Sequence, residues 1–349
     1  LIRTVQIVSF VKGGNHGQYL QALGLKVLLQ SVLPESSVKH LNYENHFWKE
    51  LKQQTKTGML PKFIMMRWFW QRNFCFGQMG EQIDLAVYGS DMIWHMGSTL
   101  FPLDRNFFGF MQNAKKKISY APSVGPRVSD EPYWLGNQFK NFFALSVRDH
   151  NTQNLVLEHS NIHAELVIDP CFFLIDSPYS EWFVGQKRYD KVSVYSPSAA
   201  VIAEVINSNS ALNKTLNLKS LKPQLLGYFP RKSFFRHLVK QLKDPLWTVQ
   251  QVAQSKLLVT STFHGVMMAL MTGTPFIVIK NPSLVARLES PISKTFSSER
   301  VLNIDELSVI DSKKLDLLMS TDDLNFQLID SYIKSSKAWI LSVLSRIKE

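Results

Sequence analysis

The chain has 349 residues, 45% of them hydrophobic, too many for one ordinary core and enough for two. Lys and Arg number 39 against 28 Asp and Glu, and the net charge of +11 points to an anionic partner: a phosphorylated metabolite, nucleic acid or an acidic membrane face. Two cysteines, Cys75 and Cys171, outside any C-x-x-C motif, argue against a disulfide framework and a zinc site, and no apolar run reaches the roughly 20 residues of a membrane-spanning helix.

In chain order, the first half repeats one event: an apolar strand running straight into small or polar residues. Thr4–Phe10 alternates and lacks the apolar core of a signal peptide, and it leads into KGGNHG. A helix over Gln18–Val32 follows. The basic, aromatic stretch FIMMRWFWQRNFCF (63–76) reads as a partly buried helix, with a membrane-interfacial helix as the alternative. Ile83–Tyr88 runs into Gly89-Ser90-Asp91, and Asn106–Gln112 is helix-like. Ile118–Tyr120 runs into APSVG, Ala144–Val147 into Arg148-Asp149, and Leu166–Ile168 into DP, with a helix over Asn151–His159. Strands alternating with helices predict a mostly parallel sheet with helices on its faces.

The stretch Ile175–Lys191 has Pro, Gly and charges without periodicity, and the domain boundary is placed there. Beyond it the theme returns: strand Val192–Tyr195, a helix in SPSAAVIAEVINS, strand Gln224–Tyr228, a helix over Phe234–Leu242 and another in DPLWTVQQVAQS. LLVTSTFHGVMMALMTGTPFIVI (257–279) then reads as strand, turn, buried helix and strand, ending at Lys280. Residues 323–349 read as one or two terminal helices. The expected fold is α/β, with two Rossmann-like doubly wound domains facing a cleft. An N-terminal domain covers 1–175, a C-terminal domain 185–325, and the terminal helices 326–349.

Several strand ends carry groups suited to chemistry. Glycines in Lys12–Gly17 allow backbone N–H groups to approach an anion, or simply a tight turn. Asp91 is a candidate base for a sugar hydroxyl, or an N-cap for MIW. Arg148 suits a carboxylate or phosphate through its forked donors, against a local ion pair with Asp149 or a helix cap by Asp149. His264, after Ser261 and Thr262 at a helix start, can meet a phosphate or give a proton, or be a satisfied core histidine. Lys280 can serve the same anion or stand as a solvated lysine. The chain has no G-x-S-x-G, no H-E-x-x-H and no paired Cys/His set, so hydrolase and zinc-enzyme readings lack support, and no metal is expected.

GGNHGQYLQALGL, DLAVYGSDMIWHMG, KKISYAPSVG, LSVRDHNTQNLV, VIDPCFF and VTSTFHGVMMALMTGTPFIVI, in that order, resemble the polysaccharide pyruvyl transferase family. The resemblance spans most of Gly13–Ile279. It implies a two-domain GT-B-like fold and transfer of a pyruvyl unit from phosphoenolpyruvate, as co-substrate and without a further cofactor, to two hydroxyls of a sugar. The product is a pyruvate ketal on a bacterial surface glycan or its lipid-linked precursor. The acceptor belongs on the N-terminal side and the donor on the C-terminal side. His264 and Asp91 are then the candidate catalytic pair. Arg148, Lys280, Ser261, Thr262 and Gly265 are candidate donor contacts, and Gly14, Asn15, Gly17 and Ser90 are loop or acceptor contacts. The family often has an aspartate where this chain has Gln18, so no carboxylate acts there. The expected setting is the cytoplasm, with the inner membrane face as a peripheral contact. A nucleotide-sugar glycosyltransferase of the same fold and an inactive glycan-binding member remain alternatives, while nucleic acid is disfavoured because the basic residues are dispersed.

Overall fold

The structure is a computed structural model and describes residues 1–97, 103–110, 113–128, 130–209, 223–226, 242–288 and 290–348. Its frame is two parallel sheets. The first contains β1 (Thr4–Val8), β2 (Ser37–Leu41), β3 (Phe76–Gly77), β4 (Ile83–Tyr88) and β5 (Ala114–Ser119), in the spatial order β3-β2-β1-β4-β5. The short parallel pair β6 (Ser146–Val147) and β7 (Glu165–Leu166) lies beside β5, joined through an Ile118–Ala144 bridge. The second contains β8 (Tyr189–Tyr195), β9 (Gln224–Leu225), β10 (Ser255–Thr260), β11 (Phe276–Ile279) and β12 (Val301–Leu302), ordered β12-β11-β10-β8-β9.

In each sheet the strand order reverses once, between β1 and β4 in the first and between β8 and β10 in the second. Neighbouring connections there leave on opposite faces and open a crevice at the carboxyl ends of the strands. The loops at those ends are Lys12–Gly17, Gly89–Asp91, Ser196–Ser198 and Ser261–His264, and Asn15, Ser198, Ser261, Thr262 and His264 from three of them line one cleft. The fold is the α/β, two-sheet, GT-B-like arrangement expected from the sequence.

The central strands are buried on both faces, which explains their continuous apolar runs. The helix Phe263–Thr272 is buried from Phe263 through Met271. A helix apolar on all sides is stable only inside a core, and each buried Leu or Met there contributes about 2 kcal/mol. Gly273 stops it in the left-handed region at φ 63°. The first long helix, His16–Val32, sits against the Pro170–Leu174 turn so closely that a Cβ on Gly24 would stand 2.0 Å from the Pro170 carbonyl oxygen. The tail is one helix, Phe326–Lys348, which returns to the first sheet. The Ser336 hydroxyl accepts the Ile168 N–H at 2.9 Å, and Trp339 lies against Tyr120.

Two expectations change. Residues 105–108 form a 3-10 turn, Arg105–Phe108, rather than a helix through Gln112, because Gly109 turns the chain at φ 94°; Met111 and Gln112 lie outside the described residues. No helix follows Asp91, so it caps nothing there, and its backbone bridges to Pro122 instead. The helix expected over Phe234–Leu242 and the end of the strand expected at Gln224–Tyr228 fall outside the described residues, apart from Leu242 and the segment through Leu226. Among the described residues no helix is long and apolar enough to cross a membrane.

Candidate active site

The carboxyl ends of β4, β6 and β7 bring Asp91, Arg148 and Asp169 together, and the helix after β10 places His264 against them. Arg148 is almost wholly buried. Its Nη1 donates to Asp169 Oδ2 at 2.9 Å, and its Nη2 lies 3.7 Å from Asp91 Oδ1. The guanidinium packs over the Phe263 ring at 4.6 Å. Nε and Nη2 have no hydrogen-bond partner. Buried donors of a charged group are costly to leave unpaired, so these two nitrogens call for an acceptor that the fold does not supply, a water or a ligand.

His264 Nε2 lies 4.0 Å from the same Asp169 oxygen and likewise has no hydrogen-bond partner. Burial drives the His264 pKa down from its ordinary value. Asp169 and Asp91 pull it upward without cancelling that effect, and Arg148 and Arg287 reinforce the lowering. Burial pushes the Asp169 carboxyl up, but His264 and Arg148, with the Cys171 hydrogen bonds, carry it below the usual carboxylate range. Since burial keeps His264 largely neutral near pH 7, we assign the larger share of that stabilisation to Arg148. Asp91 is held in the left-handed region at φ 72°, a conformation that costs a non-glycine residue on the order of 1 kcal/mol. That backbone fixes its carboxylate beside Arg148.

The cleft itself measures about 740 Å³, and its walls include Asn15, Ser261, Thr262, His264, Lys280 and Arg287. Asn15 caps the His16–Val32 helix, its Oδ1 accepting the Gly17 N–H at 2.8 Å. Thr262 caps the Phe263–Thr272 helix, its Oγ1 accepting the Gly265 N–H at 3.0 Å. That bond occupies the Gly265 amide and leaves the amides of Phe263 and His264 as first-turn donors. Gly265 is a packing glycine, since a Cβ there would stand 2.0 Å from Thr260 Oγ1. The Ser261 hydroxyl is engaged with Ser196 at 2.5 Å. Lys280 is exposed on the cleft wall.

The glycine-rich loop serves the site mainly by close approach. A Cβ at Gly17 would stand 2.2 Å from His264 Nδ1, so the loop of the first sheet touches the histidine of the second only because that position is glycine. Beside it, His16 Nδ1 meets Thr248 Oγ1 at 2.9 Å across the domain interface. The Gly14 N–H is taken by Glu50 Oε1 at 2.8 Å and is not free for a ligand. Gln18 folds over Gly13. Ser90 is buried, with its hydroxyl unpartnered.

Sequence reasoning overlooked Asp169, the group that joins Arg148 to His264, and the cleft residues Phe263 and Arg287. The signal for Asp169 was present in LVIDP, an apolar strand ending on an acid, the same pattern that singled out Arg148. Of the two roles weighed for Asp149, an ion pair with Arg148 and a helix cap, the structure shows the cap: its side chain accepts the Thr152 N–H of the His150–Ser160 helix at 2.8 Å. Among the described residues no group of three or more His, Cys, Asp or Glu side chains is placed to hold a metal.

Similar solved structures include a functionally uncharacterized protein from Klebsiella pneumoniae, at 12% identity and TM-score 0.46, covering 82% of this chain and 87% of that one. A UDP-GlcNAc 2-epimerase from Neisseria meningitidis is 9% identical with TM-score 0.49, covering 99% and 100%. A glycosyltransferase from Rickettsia africae is 11% identical with TM-score 0.47, covering 100% and 99%. No curated protein matches the sequence. The family model described as polysaccharide pyruvyl transferase matches residues 15–283, from the glycine-rich loop through the His264 helix to just past Lys280. The chain therefore belongs to the polysaccharide pyruvyl transferase family.

Proposed function

We propose that the protein transfers the pyruvyl unit of phosphoenolpyruvate to two hydroxyls of one sugar in a glycan or lipid-linked precursor, forming a ketal and releasing phosphate. The observation that carries the reading is the pairing of Arg148 and His264 through one carboxylate, Asp169, each with buried nitrogen that the protein leaves unsatisfied. Phosphoenolpyruvate brings a carboxylate and a phosphate, acceptors that suit the free edge of Arg148, the first-turn amides at His264, and Lys280 and Arg287 on the cleft wall.

In this reading the phosphate and carboxylate of bound phosphoenolpyruvate, added to Asp169 and Asp91, favour the imidazolium form of His264, which then gives a proton to the methylene carbon and leaves the adjacent carbon electrophilic. A sugar hydroxyl attacks that carbon as Asp91 accepts its proton. The carbon–oxygen bond to phosphate breaks, phosphate departs with the bonding pair, and the second hydroxyl closes the ketal as its proton returns to His264. Arg148 balances the growing charge on phosphate. Asp169 does not touch substrate; it holds the imidazole and the guanidinium at their stations. Asn15 and Ser90 lie toward the acceptor, on the first-sheet side.

The cleft volume of about 740 Å³ also admits a nucleotide sugar, which favours glycosyl transfer as the second reading. Incubation with phosphoenolpyruvate and glycan acceptors, followed by phosphate release and product mass, separates the two. We expect phosphate release that depends on the acceptor and falls by about 10²-fold or more in His264→Asn. Turnover of a nucleotide sugar with no reaction of phosphoenolpyruvate contradicts the proposal, and acceptor binding without any turnover indicates a glycan-binding member.

A further inference from the structure

The loop Lys12–Gly17 is covered by a helical hairpin, Phe47–Thr57 and Leu60–Asn73, turned at Gly58 with φ 74°. Glu50 holds the Gly14 N–H, Trp70 Nε1 donates to the Gly13 carbonyl at 3.3 Å, and Phe63, Met66 and Trp70 form the buried face. The opposite faces are unusual. Trp48, Lys52 and Lys56 recur every fourth residue on the first helix, and Ile64, Trp68 and Arg72 do so on the second; all six are exposed. Trp48 is 77% exposed, Ile64 59% and Trp68 45%. Arg67 over Phe47 at 4.8 Å sets the start of the first helix, beside Trp48, against the middle of the second, beside Trp68.

Charge on this hairpin is one-sided. Residues 47–73 hold six cations against one acid, Glu50, which is turned inward onto Gly14; Lys62 is buried and Arg67 pairs with Glu44, so Lys49, Lys52, Lys56 and Arg72 are the cations facing outward. Large apolar groups left in water among cations are unfavourable unless something covers them. A bilayer with anionic headgroups answers every part of the pattern. Lysine and arginine meet the headgroups, tryptophan rings sit at their level, and an isoleucine side chain enters the acyl boundary.

We infer that this hairpin is a docking surface for an anionic bilayer. Because it packs on the loop that carries Asn15, a chain seated this way holds its cleft beside the membrane face. The inference stands apart from the identity of the donor. A single-stranded nucleic acid also favours cations and aromatic rings, but an exposed isoleucine in the middle of the stripe gives it nothing to stack on.

The test is flotation of the full chain with vesicles of phosphatidylcholine alone or with added phosphatidylglycerol. Binding is expected to the anionic vesicles and to be at least tenfold weaker to the neutral ones. Lys49→Gln/Lys52→Gln/Lys56→Gln is expected to lose about a hundredfold, near fivefold per cation. Trp48→Ser/Trp68→Ser is expected to lose about tenfold even at high salt. Both variants should keep the parent melting temperature, since every altered side chain is exposed. Absence of binding to anionic vesicles overturns the inference. So does parent-like binding by the tryptophan pair, tighter binding to a single-stranded oligonucleotide, or a self-association that Trp68→Ser abolishes.

Discussion

Two buried arginines in this chain do opposite things. Arg300, beneath the edge of the second sheet, spends all its donors. Nε bonds Asp323, Nη1 donates to the carbonyls of Phe276 at 3.0 Å and Leu318 at 2.8 Å, and Nη2 donates to the Ser320 carbonyl at 2.6 Å and to Asp323. Arg148, at the ends of the first sheet's strands, makes one hydrogen bond, to Asp169, and leaves Nε and Nη2 unpaired. Both lie over a phenylalanine ring. Burial and residue type are the same, so neither separates an arginine whose donors the fold completes from one left with donors to spare. What separates them is whether the protein completes the hydrogen bonds itself.

The sharpest way to break this comparison is the same substitution at both sites. Arg300→Lys keeps the charge but loses the fork that reaches three carbonyls, and is expected to cost about 3 kcal/mol in urea unfolding with turnover of the folded enzyme unchanged. Arg148→Lys keeps a cation beside Asp169, so unfolding should change by less than about 1 kcal/mol while turnover falls about 10²-fold. A large stability loss at Arg148, with activity intact, would make it a second Arg300.

Two glycines repeat the contrast at smaller scale. Gly24→Ala drives a Cβ toward the Pro170 carbonyl, a backbone atom that cannot step aside, and should cost about 2 kcal/mol of stability. Gly17→Ala drives one into the His264 ring and to 2.7 Å from the His264 Cβ, an atom that side-chain rotation cannot move. It should cost a similar stability and, because the atoms displaced belong to His264, about tenfold or more in turnover as well. Equal effects of both on the melting temperature, with no loss of turnover for Gly17→Ala, would remove the glycine loop from the site.

The last contrast concerns His40 and His264, two buried histidines with lowered pKa values. His40 lies between Trp70 and Phe74, far from the cleft loops in sequence, and burial lowers it to about 3. The unfolded chain then takes up a proton first. Stability is complete above the ordinary histidine pKa of about 6.5 and is lost as pH falls toward the folded value, by about 2 kcal/mol at pH 5. Unfolding measured at pH 7 and pH 5 should show that loss in the parent and a smaller one in His40→Leu. An unchanged pH dependence would mean that His40 is not held neutral by burial.

Much of the fold was legible because its central elements are long apolar runs with clear stops. Phe276–Ile279 is read from sequence with the observed limits, and Gly273 marks the helix end before it. The strands that escaped notice, Ser37–Leu41, Phe76–Gly77 and Val301–Leu302, are mixed in polarity or only two residues long, and their pairing is decided by neighbours rather than by local pattern. The candidate site was legible as strand ends, where Arg148 and His264 break apolar runs. Asp169 was not singled out, because an acid before proline also reads as an ordinary turn. Its meaning comes from Arg148 and His264, which lie far from it in sequence and meet it only in the folded chain. That Gly265 serves packing, and that Asn15 and Thr262 serve caps, likewise depends on contacts that spacing does not carry.

The central claim is that the unpaired edge of Arg148 exists to receive phosphoenolpyruvate. Calorimetric titration of phosphoenolpyruvate into the parent and into Arg148→Lys tests it most directly. The account predicts saturable binding by the parent and about tenfold or greater weakening in the variant, with the two melting temperatures alike. Equal affinity in both proteins, or no binding by a parent that binds a nucleotide sugar, would contradict it.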